Sequence, residues 1–198
     1  MVALHIIPCR NRSYTPPLEN MLSNQRMRDS KDSGSFVNHP ELEKCLLALK
    51  SAKSTEEKLA AVELFRGALS KGAQEQMGIE VLGNIGLTDQ DGRVRLSVVN
   101  TLKGIQHPSA VKVLCQMALL DPSDDVRSSA VIALRNCKDP KAIKTLCRIA
   151  LVDNKFDIRR KAAYALTGDG DVGNFVNSAD PQVKNAINSV LRSLLSAK

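Results

Sequence analysis

The strongest constraint on this chain is that it copies itself. The segment from Val94 to Leu102 (VRLSVVNTL) aligns with Val126 to Leu134 (VRSSAVIAL) and with Ile158 to Leu166 (IRRKAAYAL), an offset of 32 residues each time. The segment before each copy repeats as well: Pro108 to Cys115 (PSAVKVLC) matches Pro140 to Cys147 (PKAIKTLC), and both run on to Ala-Leu-x-Asp. A fainter copy lies upstream, where Ile79, Leu82, Gly83, Leu87 and Asp89 hold the places of Val111, Leu114, Cys115, Leu119 and Asp121. A period of this size is the mark of a supersecondary unit that cannot bury its apolar face alone and must stack on neighbours.

The unit is helical. Positions 94, 98 and 102, like 126, 130 and 134, are four apart and place one apolar stripe along one side of a helix. Aromatic residues make up only 3% of the chain and Trp is absent, so the core must be aliphatic, which suits helix-on-helix packing. Pro108 and Pro140 suit a first helical turn, where a missing N–H costs nothing, and Ser123 with Asp124 and Asp125 is expected to cap and charge another helix start. Outside the clear copies, Pro40 to Lys50 and Thr55 to Leu69 form a divergent first pair. Its apolar positions are Leu42, Leu46 and Leu49, then Leu59, Val62, Leu64 and Leu69. After an irregular stretch from Gly168 to Ala179, Pro181 to Ala197 carries Val183, Ile187, Val190, Leu191 and Leu194 as a C-terminal cap.

An Asp in the turn, followed six residues later by an Arg that Val or Ile precedes, occurs as Asp89/Arg95, Asp121/Arg127 and Asp153/Arg159. This pattern resembles the HEAT repeat, including its short, bilin-lyase-type version of about 32 residues. The resemblance is strong from 89 to 166 and weaker over the rest of Pro40 to Lys198. It implies an all-α, right-handed α-solenoid, a HEAT/armadillo-like superhelix of about four helical hairpins plus the capping helix. It also implies that the Asp and Arg side chains form a ladder between successive turns, as structural residues rather than a reactive site. The expected domains are a flexible, Ser/Asn/Pro-containing arm over 1–38 and a repeat domain over 39–198. Pro8, Pro16 and Pro17 set the arm against a transit-peptide helix, and Asp32 to Ser35 is a short polar string that could accept a phosphate.

Reactive chemistry finds few residues to land on. His5, His39 and His107 are scattered, no His-Glu pairs suit an iron site, and with only Tyr14 and Tyr164 besides four Phe the chain lacks the aromatics of a base-flipping groove. Gly168 to Gly173 imitates part of a calcium loop but lacks its remaining acidic ligands and closing Glu. The expectation is a protein that is not an enzyme, with no cofactor and no metal. The five Cys form no CxxC, and Cys115 and Cys147 fall in apolar helical runs opposite Gly83, as small packing residues. An odd count of such thiols suits a reducing compartment, and no apolar stretch reaches membrane-spanning length, so the expected location is cytoplasmic, away from membranes.

Charge is more informative. Lys plus Arg against Asp plus Glu is 5 to 3 over residues 1–40, 6 to 8 over 41–90, and 17 to 10 over 91–198, so the whole net charge of +7 equals the excess in the C-terminal repeats. The resemblance implies that the second helix of each pair lines the concave surface. Three rows then face outward from it: Leu96, Ser128 and Arg160; Asn100, Ile132 and Tyr164; Lys103 and Arg135, ending at Thr167. Mixed apolar, aromatic and basic character suits another protein carrying an acidic segment, although a merely solvated face would look similar. The leading expectation is therefore a protein–protein adaptor or scaffold. The alternatives are nucleic-acid binding through phosphate contacts of Lys112, Lys144, Arg148, Arg160 and Lys161, with Lys141 nearby, and a bilin-lyase-like enzyme or chaperone suggested only by the repeat subtype.

Overall fold

The computed structural model describes residues 40–70, 75–135 and 137–167, together with Asn185 and Ser189. Among the described residues the secondary structure is wholly helical. Eight helices form four hairpins: α1 (Pro40–Ser51) with α2 (Thr55–Ser70), α3 (Glu75–Thr88) with α4 (Gly92–Leu102), α5 (Pro108–Leu120) with α6 (Asp124–Leu134), and α7 (Pro140–Val152) with α8 (Phe156–Thr167). The expected first pair and the three clear repeats are all present. The arm, the Gly168 to Ala179 stretch with its calcium-like loop, and the expected capping helix apart from Asn185 and Ser189, both helical, lie outside the described residues.

Local chemistry sets the helix starts. Pro108 and Pro140 occupy the first turns of α5 and α7. Just before them the His107 ring accepts the Ser109 N–H, at 3.2 Å, and the Asp139 carboxylate accepts that of Lys141, at 2.8 Å. Ser54 and Glu57 form a reciprocal capping box at α2, each side chain accepting the other's backbone N–H. Ser123 departs from expectation, for its hydroxyl makes no capping bond. Its own N–H donates to Asp121 Oδ1 at 2.9 Å, so the turn is held by the carboxylate two residues earlier.

The hairpins stack in two layers. Helices α3, α5 and α7 pack on one another in one layer and α2, α4, α6 and α8 in the other, while the two members of each hairpin close the core between them. The stripes meet there: Val94, Val98 and Leu102, Val126, Ala130 and Leu134, and Ile158, Ala162 and Leu166 are all at most 3% exposed. In the first pair Phe65 is fully buried and Leu64 is 40% exposed, which corrects the expectation for Leu64. The buried face of α2 passes through Val62, Phe65 and Leu69, at helical spacings of three and four, and Leu64 lies off it.

Small residues let the first-helix layer close up. A Cβ on Gly83 would stand 2.6 Å from Cγ2 of Val113 on α5, and one on Gly86 would stand 3.1 Å from Sδ of Met117 on α5 and 2.9 Å from Val98 of its own hairpin. In the following units these places belong to Cys115 and Ala118, then Cys147 and Ala150. Because Val113 is β-branched and stiff at χ1, it cannot swing clear. Gly83→Leu is therefore expected to destabilise the protein by about 2–3 kcal/mol despite the better helix propensity of Leu. A urea midpoint equal to or above that of the parent would show that the layer tolerates the volume.

Candidate functional site

The Asp and Arg residues of the turns do form a ladder, but each carboxylate rung crosses to the next unit. Arg95 donates from Nε and Nη2 to the two carboxylate oxygens of Asp121, at 2.8 and 2.9 Å, and from Nη1 to the carbonyl of Asp89 at 2.9 Å. Arg127 repeats this with Asp153, at 2.9 and 3.4 Å, and with the Asp121 carbonyl at 3.0 Å, adding Asp124 and Asn154. Within a unit, then, the Arg holds the backbone of its own turn, and its carboxylate partner lies one unit on. At the upstream end Lys58 of α2 takes the role of the Arg and donates to Asp89 at 2.7 Å.

These charges are buried and matched. The side chains of Arg127 and Asp153 are 8% and 6% exposed. Hydrogen bonding to Asp121 and to Asp153 pushes the Arg95 and Arg127 guanidinium pKa values up, against burial, which alone would lower them. These donors serve the backbone of their own turn and the carboxylate of the next, so the ladder is scaffold.

Asp91, the N-cap of α4, is held down to about 2, first by its side-chain hydrogen bond from Arg93 and further by the Arg93 backbone N–H and the Thr55 hydroxyl. A carboxylate depressed in the folded state contributes stability above its unfolded pKa and loses it as pH falls through the folded value. Wild type should therefore lose stability between about pH 4 and pH 2 relative to Asp91→Asn, which keeps a capping oxygen that does not titrate there. Identical urea midpoints for the two proteins across that range would contradict the assignment.

The second helices carry the expected rows. Asn100, Lys103, Ile132, Arg160 and Tyr164 are exposed, Ile132 by 45% and Tyr164 by 57%. Leu96, Ser128 and Arg135 are half-buried, and the Thr167 side chain lies outside the described residues. Arg135 of α6 lies over the Tyr164 ring of α8 at 5.1 Å, which joins the last two units across this face. Lys161 donates to the Ser128 hydroxyl at 2.6 Å. That bond places Lys161 with the second helices, apart from the other members of the expected phosphate-binding set. Lys112, Lys144 and Arg148 are exposed on α5 and α7, with Lys141 beside them.

Two clefts were not anticipated from the sequence. One, of about 270 Å³, opens at the hairpin turns between exposed Leu120 and Val152, over the ladder residues Arg127 and Asp153. The other, of about 250 Å³, lies where α4 ends, between Asn100, Lys103 and Gly104 on its rim and Val111, Leu114, Ala133 and Cys137 within. Residues from different units, in helices as well as loops, build both, so no single repeat announces them. Among the described residues no group of His, Cys, Asp and Glu could hold a metal ion, and no helix is long and apolar enough to cross a membrane.

No curated protein matches the chain. Residues 79–167 match the family model described as HEAT repeats. That span contains the ladder and nearly all of the last three hairpins, and over it the chain has the sequence pattern and the fold of HEAT repeats.

Proposed function

We propose that this protein is a non-enzymatic scaffold that binds another protein across the second-helix face of its C-terminal units. HEAT repeats commonly serve as protein-interaction scaffolds, and the face has the composition of a binding surface. The observation that carries the reading is Arg135 laid on Tyr164, with exposed Ile132 three residues before the one and exposed Arg160 four residues before the other. Solvent-exposed Tyr, Arg and aliphatic side chains on a rigid element are the residue types that anchor interfaces, and here they sit on helices whose opposite sides are locked in the core. The free, mostly buried thiols of Cys45, Cys115, Cys137 and Cys147 support a reducing, cytoplasmic setting.

Replacing Arg135, Arg160 and Tyr164 together by Ala should abolish most capture of a protein partner from source-cell lysate and leave helical circular dichroism unchanged. Partners should survive nuclease treatment. Undiminished capture by the triple variant would remove the face from the account, and loss of all retained material to nuclease would transfer the function to phosphate binding by Lys112, Lys144, Arg148 and Lys161.

A further inference from the structure

The two edges of the stack differ in charge. The hairpin-turn segments 88–96, 120–128 and 152–160 hold seven Asp (89, 91, 121, 124, 125, 153 and 157) against six Lys and Arg (93, 95, 127, 155, 159 and 160). Among the last three units, the loops between units, with the helix turns that flank them, are 100–112 and 133–144. They hold six Lys and Arg (103, 112, 135, 138, 141 and 144) against Asp139 alone. Asp139 is committed to its own helix, capping the Lys141 N–H at 2.8 Å. The inter-unit edge of the last three units is thus basic, with Lys103 and Arg135 at the ends of the second helices and Lys112, Lys141 and Lys144 on α5 and α7.

The 250 Å³ cleft opens on this edge. Its inner wall, Val111, Leu114, Ala133 and Cys137, is buried and apolar, and its rim carries exposed Lys103, which also belongs to the second-helix rows. Gly104, at φ 88°, turns the chain there with a backbone that other residues rarely adopt. The volume falls below the range of about 300 Å³ and upwards typical of whole small-molecule sites, which fits one inserted side chain better. Arg135, in the equivalent place one unit on, has its Nε buried with no acceptor among the described residues.

We infer that the partner segment is an acidic peptide with one aliphatic anchor. The anchor enters the cleft beneath Lys103, and the flanking carboxylates lie along Lys103, Arg135 and the basic edge. The inference rests on the protein-binding reading above and narrows it. A nucleic-acid strand would satisfy the cations, but no aromatic residue lines the cleft to stack its bases.

The test titrates the ¹⁵N-labelled full chain with the synthetic peptide Glu-Asp-Glu-Leu-Glu-Asp-Glu, with the same peptide carrying Ser for Leu, and with a short thymidine oligonucleotide. The expected result is saturable amide shifts at Gly104, Ile105 and Cys137, an affinity at least about tenfold weaker for the Ser peptide, and loss of binding in Lys103→Glu. Lys103 is exposed, so that variant should fold. Equal affinity for the two peptides, an oligonucleotide that binds as tightly as the Leu peptide, or shifts that avoid these residues would each overturn the inference. If the triple Ala variant still loses partner capture in those cases, the scaffold reading stands and only the cleft is excluded. If capture is also undiminished, both fall.

Discussion

Arg127→Ala is expected to lower the unfolding free energy by about 3–5 kcal/mol, far more than a surface charge deletion would. The guanidinium, 8% exposed, makes hydrogen bonds to Asp153, Asp124, Asn154 and the carbonyl of Asp121. Its removal takes the donor from Oδ2 of Asp153, a side chain 6% exposed whose Oδ1 keeps the Lys155 N–H, and from the buried carbonyl of Asp121. The cost comes mainly from those orphaned groups, since a buried charge without a partner is worse than either a matched pair or an apolar replacement of both. Lys should not rescue the position, because one ammonium cannot reproduce the planar fork that spans two turns. Arg160→Ala is the control: its ion pair with Asp157 is 69% and 74% exposed and should be worth at most about 1 kcal/mol. Urea denaturation of Arg127→Ala, Asp153→Asn and the double variant measures the coupling. Additive losses, or a single-variant loss near that of Arg160→Ala, would show the ladder to be decorative. Because Arg127 binds the third hairpin to the fourth, its loss should also reduce cooperativity, with the last hairpin opening before the rest.

Leu134→Ala should cost about 2–5 kcal/mol. Leu134 is fully buried at the end of the α6 stripe, and α6 packs on α5, α4 and α8, so a cavity there loosens contacts within the unit and with both neighbours. A stack of modules is stabilised by exactly such nearest-neighbour contacts, and a central unit has two of them to lose. Leu64→Ala, at a position 40% exposed, is the matched comparison and should stay within about 0.5 kcal/mol of the parent. The same helix presents Ile132 and Arg135, so Leu134→Ala should weaken partner binding as well, to the extent that the unit is open. Thermal midpoints that fail to separate Leu134→Ala from Leu64→Ala would mean that α6 is not packed between its neighbours.

Much of this molecule could be read before any coordinates. The stripes through 94, 98 and 102 and their copies, the Pro-marked helix starts and the small residues at Gly83, Cys115 and Cys147 all follow from short-range geometry. A helix returns to the same face every three or four residues, and a repeat shows the same face several times over. The positions that face away from the stripes follow for the same reason, although Leu96, Ser128 and Arg135 among them are half-buried. Leu64 and Phe65 show the limit: both are large and apolar, adjacent in a divergent unit, and only the angle at which α2 meets its neighbours selects Phe65 for the core.

What the sequence determined by itself was therefore the module: two helices, an apolar seam, a turn bearing Asp and Arg, and a surplus of cations towards the C-terminal repeats. What the tertiary structure decided was every relation between modules. It sends Arg95 and Arg127 to a carboxylate 26 residues away and not to the side chain of the Asp six residues before. It lays Arg135 on Tyr164, ties Lys161 to Ser128, and opens a cleft from residues of two units. Helical periodicity is set by bonds four residues apart and is written into each repeat, whereas the distance and rotation between stacked hairpins are set by side-chain packing across the seam, which no single repeat contains.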